Sequence, residues 1–255
     1  MAKTGVAAMT PERPLLTIVI PTYQALDLIP QCIDSIRAAL GCSLGSTVLV
    51  TVQDGRSQDG IVDYVRNLAI PGITIASEQD SGIYDAMNKA VQQASTPWIY
   101  FLGADDQLLP DFVKVLPLLN DLSAIYYGSV VFTSDRRRYD GRFSPLKLVF
   151  RNICHQAIFY PTRLLAAHPY QTKYSIKADW AANIILMSSY AFRYVDYSVA
   201  LYNNENGMSR MHEDVIFNSD RNRLFRHAFG FTYYLLSATA PLITRIYHRL
   251  SRHQR

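Results

Sequence analysis

Asp80 to Asp106 reads DSGIYDAMNKAVQQASTPWIYFLGADD, and the fold class follows from how that stretch is assembled. It opens with an acidic residue and a Ser-Gly turn. Ile83, Met87, Ala90, Val91 and Ala94 then recur at helical spacing along one face. Thr96-Pro97 stops the helix. Trp98 to Leu102 is apolar and aromatic throughout, the composition of a short strand buried on both faces. That strand runs into Gly103-Ala104-Asp105-Asp106. Open α/β sheets hold ligands at the carboxyl ends of their strands. Adjacent carboxylates there suit a hard cation, Mg²⁺ or Mn²⁺, and such an ion usually also holds substrate phosphates. The structural alternative is that Asp105 and Asp106 cap a helix beginning near Pro110.

Upstream, the same grammar repeats. Leu15 to Ile20 is a short β-branched run ended by Pro21, the first and central strand, with Pro21-Thr22-Tyr23 as the loop at its carboxyl end. Thr22 or Tyr23 there can hydrogen-bond to, or stack on, a base; a plain turn is the alternative. Leu28, Ile29, Cys32, Ile33, Ile36 and Leu40 have the spacing of a helix packed on a sheet. Thr47 to Val52 is a second strand, leading into Asp54-Gly55, which can bind a base or ribose or form an Asx-turn. A helix runs to about Leu68, and Ile73 to Ala76 is a third strand with Glu78 and Asp80 just beyond. Successive βα units predict a mostly parallel sheet flanked by helices. Each strand is followed by a polar cluster: Thr22 and Tyr23, Asp54, Asp80, then Asp105 and Asp106. Four clusters on one sheet edge point to one ligand site.

Composition sets the class. With 255 residues, 49% hydrophobic and 18% charged, the chain is globular and long enough for a sizeable core. Its three cysteines, Cys32, Cys42 and Cys154, show neither a paired nor a zinc spacing and read as reduced thiols of a cytoplasmic protein. Cys154 precedes His155, but neighbours in a strand point apart, which argues against a Cys-His nucleophile. Residues 1–13 lack the apolar run of a signal peptide and read as a disordered leader. Residues 221–255 carry seven Arg and neither Lys nor an acid. The other 220 residues hold 18 basic and 21 acidic side chains, a balance of −3 against +7 in the tail. A mildly acidic body argues against nucleic acid as a partner.

The runs VIPTY (Val19–Tyr23), DGRSQDG (Asp54–Gly60), DSGIYDAMNKA (Asp80–Ala90) and FLGADD (Phe101–Asp106) together resemble the family 2 glycosyltransferases, in their bacterial exopolysaccharide or colanic-acid branch. The resemblance covers roughly residues 14–210 and implies the GT-A nucleotide-diphospho-sugar transferase fold. On that likeness 14–110 is a nucleotide-binding half and 111–210 an acceptor half. It implies a nucleotide-sugar donor and a saccharide acceptor. Pro21, Thr22, Tyr23 and Asp54 would hold the nucleoside, with Asp80 close to the nucleotide. Asp105 would lie near the ribose or the metal, and Asp106 would be the main protein ligand of Mg²⁺ or Mn²⁺. The family pattern is Asp-x-Asp, whereas this chain has Ala104-Asp105-Asp106, so the two roles are partly interchangeable. A nucleotidyltransferase would want a Gly-rich phosphate loop after the first strand, which Pro21-Thr22-Tyr23-Gln24 is not. A catalytically silent sugar-nucleotide binder is the alternative from another class.

Downstream, a helix is expected over Asp111–Leu119, a strand over Ala124–Phe132 and a solvated hairpin tip over Ser134–Asp140. Asn152 to Tyr160, NICHQAIFY, takes His155 and Gln156 into an apolar strand, where each needs a partner. They are either satisfied core side chains or, as the resemblance implies, contacts to the sugar. Tyr174 opens a helix reaching about Ser189. Asp179 near its start has favourable dipole electrostatics, and the resemblance makes it the catalytic base. Phe192 to Leu201 is a strand, and Asn203 to Arg210 resembles a loop that closes over the diphosphate. His212-Glu213-Asp214 reads as a solvated cluster. Residues 211–255 form a basic, apolar helical tail. Within it, Ala228–Thr244 has 17 residues without charge, short of the roughly 20 of a membrane span. It reads as an interfacial or packing helix able to lie on the inner face of a membrane, and a lipid-linked acceptor would fit that placement.

Overall fold

The computed structural model describes residues 13–139, 141–205 and 213–252. Residues 1–12 of the leader, Asp140 at the end of the expected hairpin tip, the Asn206–Arg210 part of the loop after the last strand and His212 lie outside them. β1 (Leu16–Thr22) is buried along its whole length. It pairs in parallel with β2 (Val48–Asp54) and with β4 (Trp98–Phe101), and β2 pairs in parallel with β3 (Ile73–Ser77). Helices α1 (Ile29–Leu40), α2 (Ile61–Asn67) and α3 (Ile83–Gln93) connect these strands. Their apolar stripes pack on the sheet; α1 buries Ile29, Cys32, Ile33, Ile36 and Leu40. β1 carries on through Pro21, which sequence alone made its terminator. Pairing with β4 stops at Val19–Phe101, so the missing proline N–H removes no bond to that neighbour.

The second half is mixed. After the two-residue β5 (Gln107–Leu108) and the single turn of α4 (Phe112–Val115), the long β6 (Ala124–Phe132) forms as expected. The predicted helix over 111–119 is cut to a turn plus a 3₁₀ segment, because Pro117 has no N–H to continue the α pattern. β7 (Arg138–Tyr139) folds back on β6 as a hairpin. Then come α5 (Pro145–Phe150), β8 (Ile158–Pro161), α6 (Thr162–Ala167), α7 (Ala178–Met187) and β9 (Ala191–Tyr202). The strand order is β3-β2-β1-β4-β8-β6-β9-β5. β8 is antiparallel to both β4 and β6, and β9 is parallel to β6. The continuous parallel run β3-β2-β1-β4 therefore ends at β4, and parallel pairing returns only between β6 and β9.

Three expectations are corrected here. His155 and Gln156 do not enter a strand; with Ala157 they form a 3₁₀ turn ahead of β8. α7 starts at Ala178, not Tyr174, because the N–H groups of Ile176 and Lys177 are both taken by Asp214 Oδ2 at 3.0 Å. Asp214 is thus buried rather than solvated. Its Oδ1 also accepts the Phe217 N–H at 3.0 Å and caps α8 (Val215–Phe229).

The tail is a helix pair. Gly230, at φ +87°, separates α8 from α9 (Phe231–Arg252), so the uncharged run 228–244 straddles a break. Phe217 of α8 is buried against Tyr174 and Trp180. α9 continues through Pro241. A proline leaves the carbonyl four residues earlier without its helical partner; that carbonyl, on Ser237, receives Arg221 Nη1 at 3.4 Å. Arg221 also donates to the Val149 carbonyl near the end of α5. No helix among the described residues is long and apolar enough to cross a membrane.

Candidate active site

Parallel pairing brings the carboxyl ends of β1, β2 and β3 into register: Thr22 sits beside Asp54, and Asp54 beside Ser77. Asp54 is fully buried. Its Oδ2 accepts from the Ser77 hydroxyl at 2.6 Å and from the Ser57 N–H at 3.1 Å. Its Oδ1 has no partner. A buried acceptor without a donor is costly, and no group of the protein supplies one to Oδ1. Gly55 follows, its N–H bonded to the Thr22 carbonyl at 2.9 Å. A side chain at Gly55 would come within 2.7 Å of Asp80 Oδ2 and 3.3 Å of the Tyr23 ring. Glycine is therefore what lets Asp80 and Tyr23 converge over the end of β2. Tyr23 is 69% exposed, a free aromatic face, while Pro21 and Thr22 are buried in β1 itself.

A second cluster forms at the end of β4. Asp106 is only 1% exposed. Its Oδ2 accepts Gln156 Nε2 at 2.7 Å and the Gly103 N–H at 3.1 Å, and its Oδ1 accepts the Asn203 N–H at 2.8 Å. Burial first, and the Asp105 charge second, raise its pKa from the ordinary 3.8 to about 6. Asp105 is half-buried, and its Oδ2 accepts Asn203 Nδ2 at 3.1 Å. Gly103 is required here: a Cβ on it would lie 2.5 Å from Asp106 Oδ2.

The third cluster surrounds Asp179 in the first turn of α7. Oδ1 lies 2.9 Å from the Tyr84 hydroxyl and accepts the Trp180 N–H at 2.8 Å. Oδ2 accepts Asn152 Nδ2 at 2.7 Å. Asn152 Oδ1 in turn accepts from Asn183, whose own oxygen accepts the Tyr160 hydroxyl. His155 Nδ1 stands 3.7 Å from Asp179 Oδ2, an ion-pair distance when the imidazole is protonated.

The 3₁₀ turn links the last two clusters. A tight turn fans successive side chains around its axis, where a strand would alternate them. Gln156 therefore reaches Asp106 while His155, one residue before it, faces Asp179. Cys154 Sγ donates to Gln156 Oε1 at 2.8 Å, and burial holds its thiol well above the usual thiol pKa. Cys154 as a whole is only half-buried; its raised thiol pKa, not strand alternation, is what argues against a nucleophilic role.

Among the described residues no three His, Cys, Asp or Glu side chains gather as a metal cage. The donor set still suits a divalent ion shared with phosphates: Asp105 offers a hard, partly open carboxylate, and such ions are commonly held by one or two carboxylates plus substrate oxygens. The sequence picked out Asp54, Asp80, Asp105, Asp106, His155, Gln156 and Asp179, and the fold gathers them into these three clusters. It did not single out Tyr84, Asn152, Asn183 or Asn203, which orient the carboxylates. Asn152 and Asn203 open two of the stretches quoted above, but an asparagine carries no periodic signal.

A parallel α/β half with an acidic ligand edge, joined to a mixed half with a buried carboxylate, is the arrangement of the GT-A glycosyltransferases. The chain belongs to glycosyl transferase family 2, which it matches over residues 17–196. It is 38% identical over 208 residues to the PGL/p-HBAD biosynthesis glycosyltransferases of Mycobacterium bovis and Mycobacterium tuberculosis, covering 77% of this chain and 79% of theirs. It is 29% identical over 132 residues to the uncharacterized glycosyltransferase EpsJ of Bacillus subtilis, 49% of this chain and 37% of that one. Among solved structures, Staphylococcus aureus TarS in complex with UDP-GlcNAc superposes with a TM-score of 0.66 at 14% identity, over 82% of this chain and 65% of that one. A mannosyltransferase from Pyrobaculum calidifontis in complex with GDP-Man and Mn²⁺ does so at 0.57 and 17%, over 93% and 76%. At such identities these two structures bear on the fold alone.

Proposed function

We propose that the protein is an inverting glycosyltransferase that moves a sugar from a UDP-linked donor to a saccharide hydroxyl. The acceptor is lipid-linked, and the setting is exopolysaccharide or other cell-surface glycan assembly at the inner face of a membrane. The observation that carries the donor reading is the orphaned Oδ1 of Asp54 beside the exposed ring of Tyr23. A base that stacks on Tyr23 and presents a ring N–H to Asp54 relieves both, and uracil has such an N–H. Asp80 lies beside them, within reach of the nucleotide.

In this reading the two carboxylates of Ala104-Asp105-Asp106 divide the work. Asp106 is hydrogen-bonded on both oxygens and braces the loop. Asp105 is the more exposed of the two and would hold a divalent ion, which would supply charge to offset the leaving diphosphate. Gln156 and His155 line the sugar side between the two carboxylate clusters. Asp179, held by Tyr84, Trp180 and Asn152, takes the proton of the acceptor hydroxyl. The acceptor oxygen bonds to the anomeric carbon as the bond from that carbon to the diphosphate oxygen breaks. UDP leaves with the electron pair, and a single displacement inverts the configuration.

Calorimetric titration with UDP, with and without Mn²⁺, tests the donor site on wild type and on Asp105→Ala. The expected result is binding that Mn²⁺ strengthens and that Asp105→Ala weakens by roughly tenfold or more, on the order of 1.4 kcal/mol. Absence of UDP binding in every condition sinks the reading.

A further inference from the structure

Where α5, α7, α8 and α9 meet, the surface opens into a crevice of about 320 Å³ lined by Phe150, Trp180, Phe217 and Pro241, and by Lys177, Arg221 and Arg245. It lies away from the strand ends and takes no carboxylate of the three acidic clusters into its lining, although Trp180 of its wall gives its backbone N–H to Asp179. The three cations make no ion pair among the described residues. Arg221 donates to two backbone carbonyls, which do not neutralise it, and its guanidinium lies 5.4 Å from the centre of the Trp180 ring. Its Nε is buried without a partner. Lys177 lies over Phe217 at 5.6 Å and reaches only the amide of Asn218. Three positive charges against apolar and aromatic walls, with no carboxylate to balance them, fit an anion that carries an apolar body.

The surroundings say which one. Phe150 stands exposed on the crevice wall, and Leu242 (60% exposed) and Ile243, which follow Pro241 but are turned roughly 100° and 200° from it around the helix, are exposed beside the crevice rather than in it. Phe231 and Leu235, earlier on α9, are also exposed. The chain from residue 221 onward has seven arginines and no acid. An apolar helix face beside unpaired basic groups matches an anionic lipid surface, and the absence of a spanning helix among the described residues suits lying on that surface. We infer that this crevice and the exposed face of α9 form a docking site for an anionic phospholipid bilayer. A lipid phosphate sits against Arg221, Lys177 and Arg245, and Phe150, Leu242 and Ile243 enter the acyl boundary. The inference deepens the proposed membrane setting but does not depend on the donor site. Trp180 and Lys177 flank Asp179 in sequence, so docking here sets the base beside the membrane surface that carries the acceptor.

Co-sedimentation of the full chain with phosphatidylcholine vesicles, with and without phosphatidylglycerol, tests this. Expected are binding to the anionic vesicles only and weakening by salt. Arg245→Gln should lower affinity about fivefold, and Leu242→Ser with Ile243→Ser should lower it by on the order of tenfold or more. Both variants change exposed side chains, and unaltered thermal unfolding shows that they fold. Equal partitioning into both vesicle types, or unchanged binding by both variants, overturns the inference. So does displacement by inorganic phosphate at matched ionic strength, which makes the crevice a free-anion site, or pelleting without vesicles, which makes the apolar face a contact between copies. Vesicle binding by a wild type that fails to bind UDP leaves the docking site standing and refutes the donor reading alone.

Discussion

Asp106 and Asp179 are both buried carboxylates, and consecutive residues of one 3₁₀ turn face them, yet they are held in different ways. Asp106 takes two of its three hydrogen bonds from backbone N–H groups, of Gly103 and Asn203, and the third from Gln156. Those bonds tie the end of β4 to the end of β9, so Asp106 works as a brace. Asp179 has one backbone donor, the Trp180 N–H, and is otherwise met by side chains: Asn152 donates to it, the Tyr84 hydroxyl, shared with the Ile176 carbonyl at 2.6 Å, lies 2.9 Å away, and His155 is close by. Side-chain donors can yield when an acceptor hydroxyl arrives, whereas a backbone brace cannot yield without moving the chain. The brace is also electrostatically uncomfortable, with a pKa raised to about 6 by burial and by Asp105. Two carboxylates in one cleft with separated roles is a common way for a site to combine rigidity with proton transfer.

The sharpest test of this contrast is Asp179→Asn. Transfer should fall by roughly 10²–10⁴-fold, the range for loss of a general base, while UDP affinity and thermal stability stay near wild type. Unaltered turnover would remove Asp179 from the chemistry.

Asp106 should register in stability instead. Its folded pKa lies above the unfolded value, so between about pH 4 and pH 6 the folded state binds more protons than the unfolded chain. In metal-free buffer, stability should therefore fall as pH rises through that window, by no more than about 3 kcal/mol from this group. Asp105→Asn removes the second cause of the shift and should shrink the slope. Denaturant titrations across pH read it, and an equal slope in wild type and Asp105→Asn would deny that the two charges are coupled.

The smallest effect is expected at Asn152→Ala. It strips one donor from Asp179 and one acceptor from Asn183, and should cost about 1–3 kcal/mol of stability. If Asn152 orients the base, kcat should drop with KM little changed. A stability loss alone would make it a structural side chain.

Much of the fold was legible because period and punctuation carry it. β6 forms over the very residues its composition predicted, and α1 buries every residue its spacing selected except Leu28, which precedes the helix and is exposed. Errors fell where a distant side chain competes for a local group. Asp214 captures the N–H groups of Ile176 and Lys177 from 38 and 37 residues away, and so delays the start of α7. Nothing between residues 170 and 180 announces that. Arg221 meets the carbonyl freed by Pro241 and lets α9 run through a proline that would otherwise favour a break. The orienting asparagines were missed for a related reason: a polar side chain shows its partner only after folding.

By itself, then, the sequence determined the alternation of strands and helices, the acidic residues at the strand ends and the basic tail, because hydrophobic period, turn residues and charge are local properties of the chain. Only the tertiary structure decided which carboxylate is sealed and which is open. It also decided that Gln156 bonds Asp106 while His155, one residue before it, stands 3.7 Å from Asp179, and that Lys177, Arg221 and Arg245 meet at one crevice. Burial and hydrogen-bond partnership are relations between segments far apart in sequence, and they exist only once β4, β9, α7 and the tail have met.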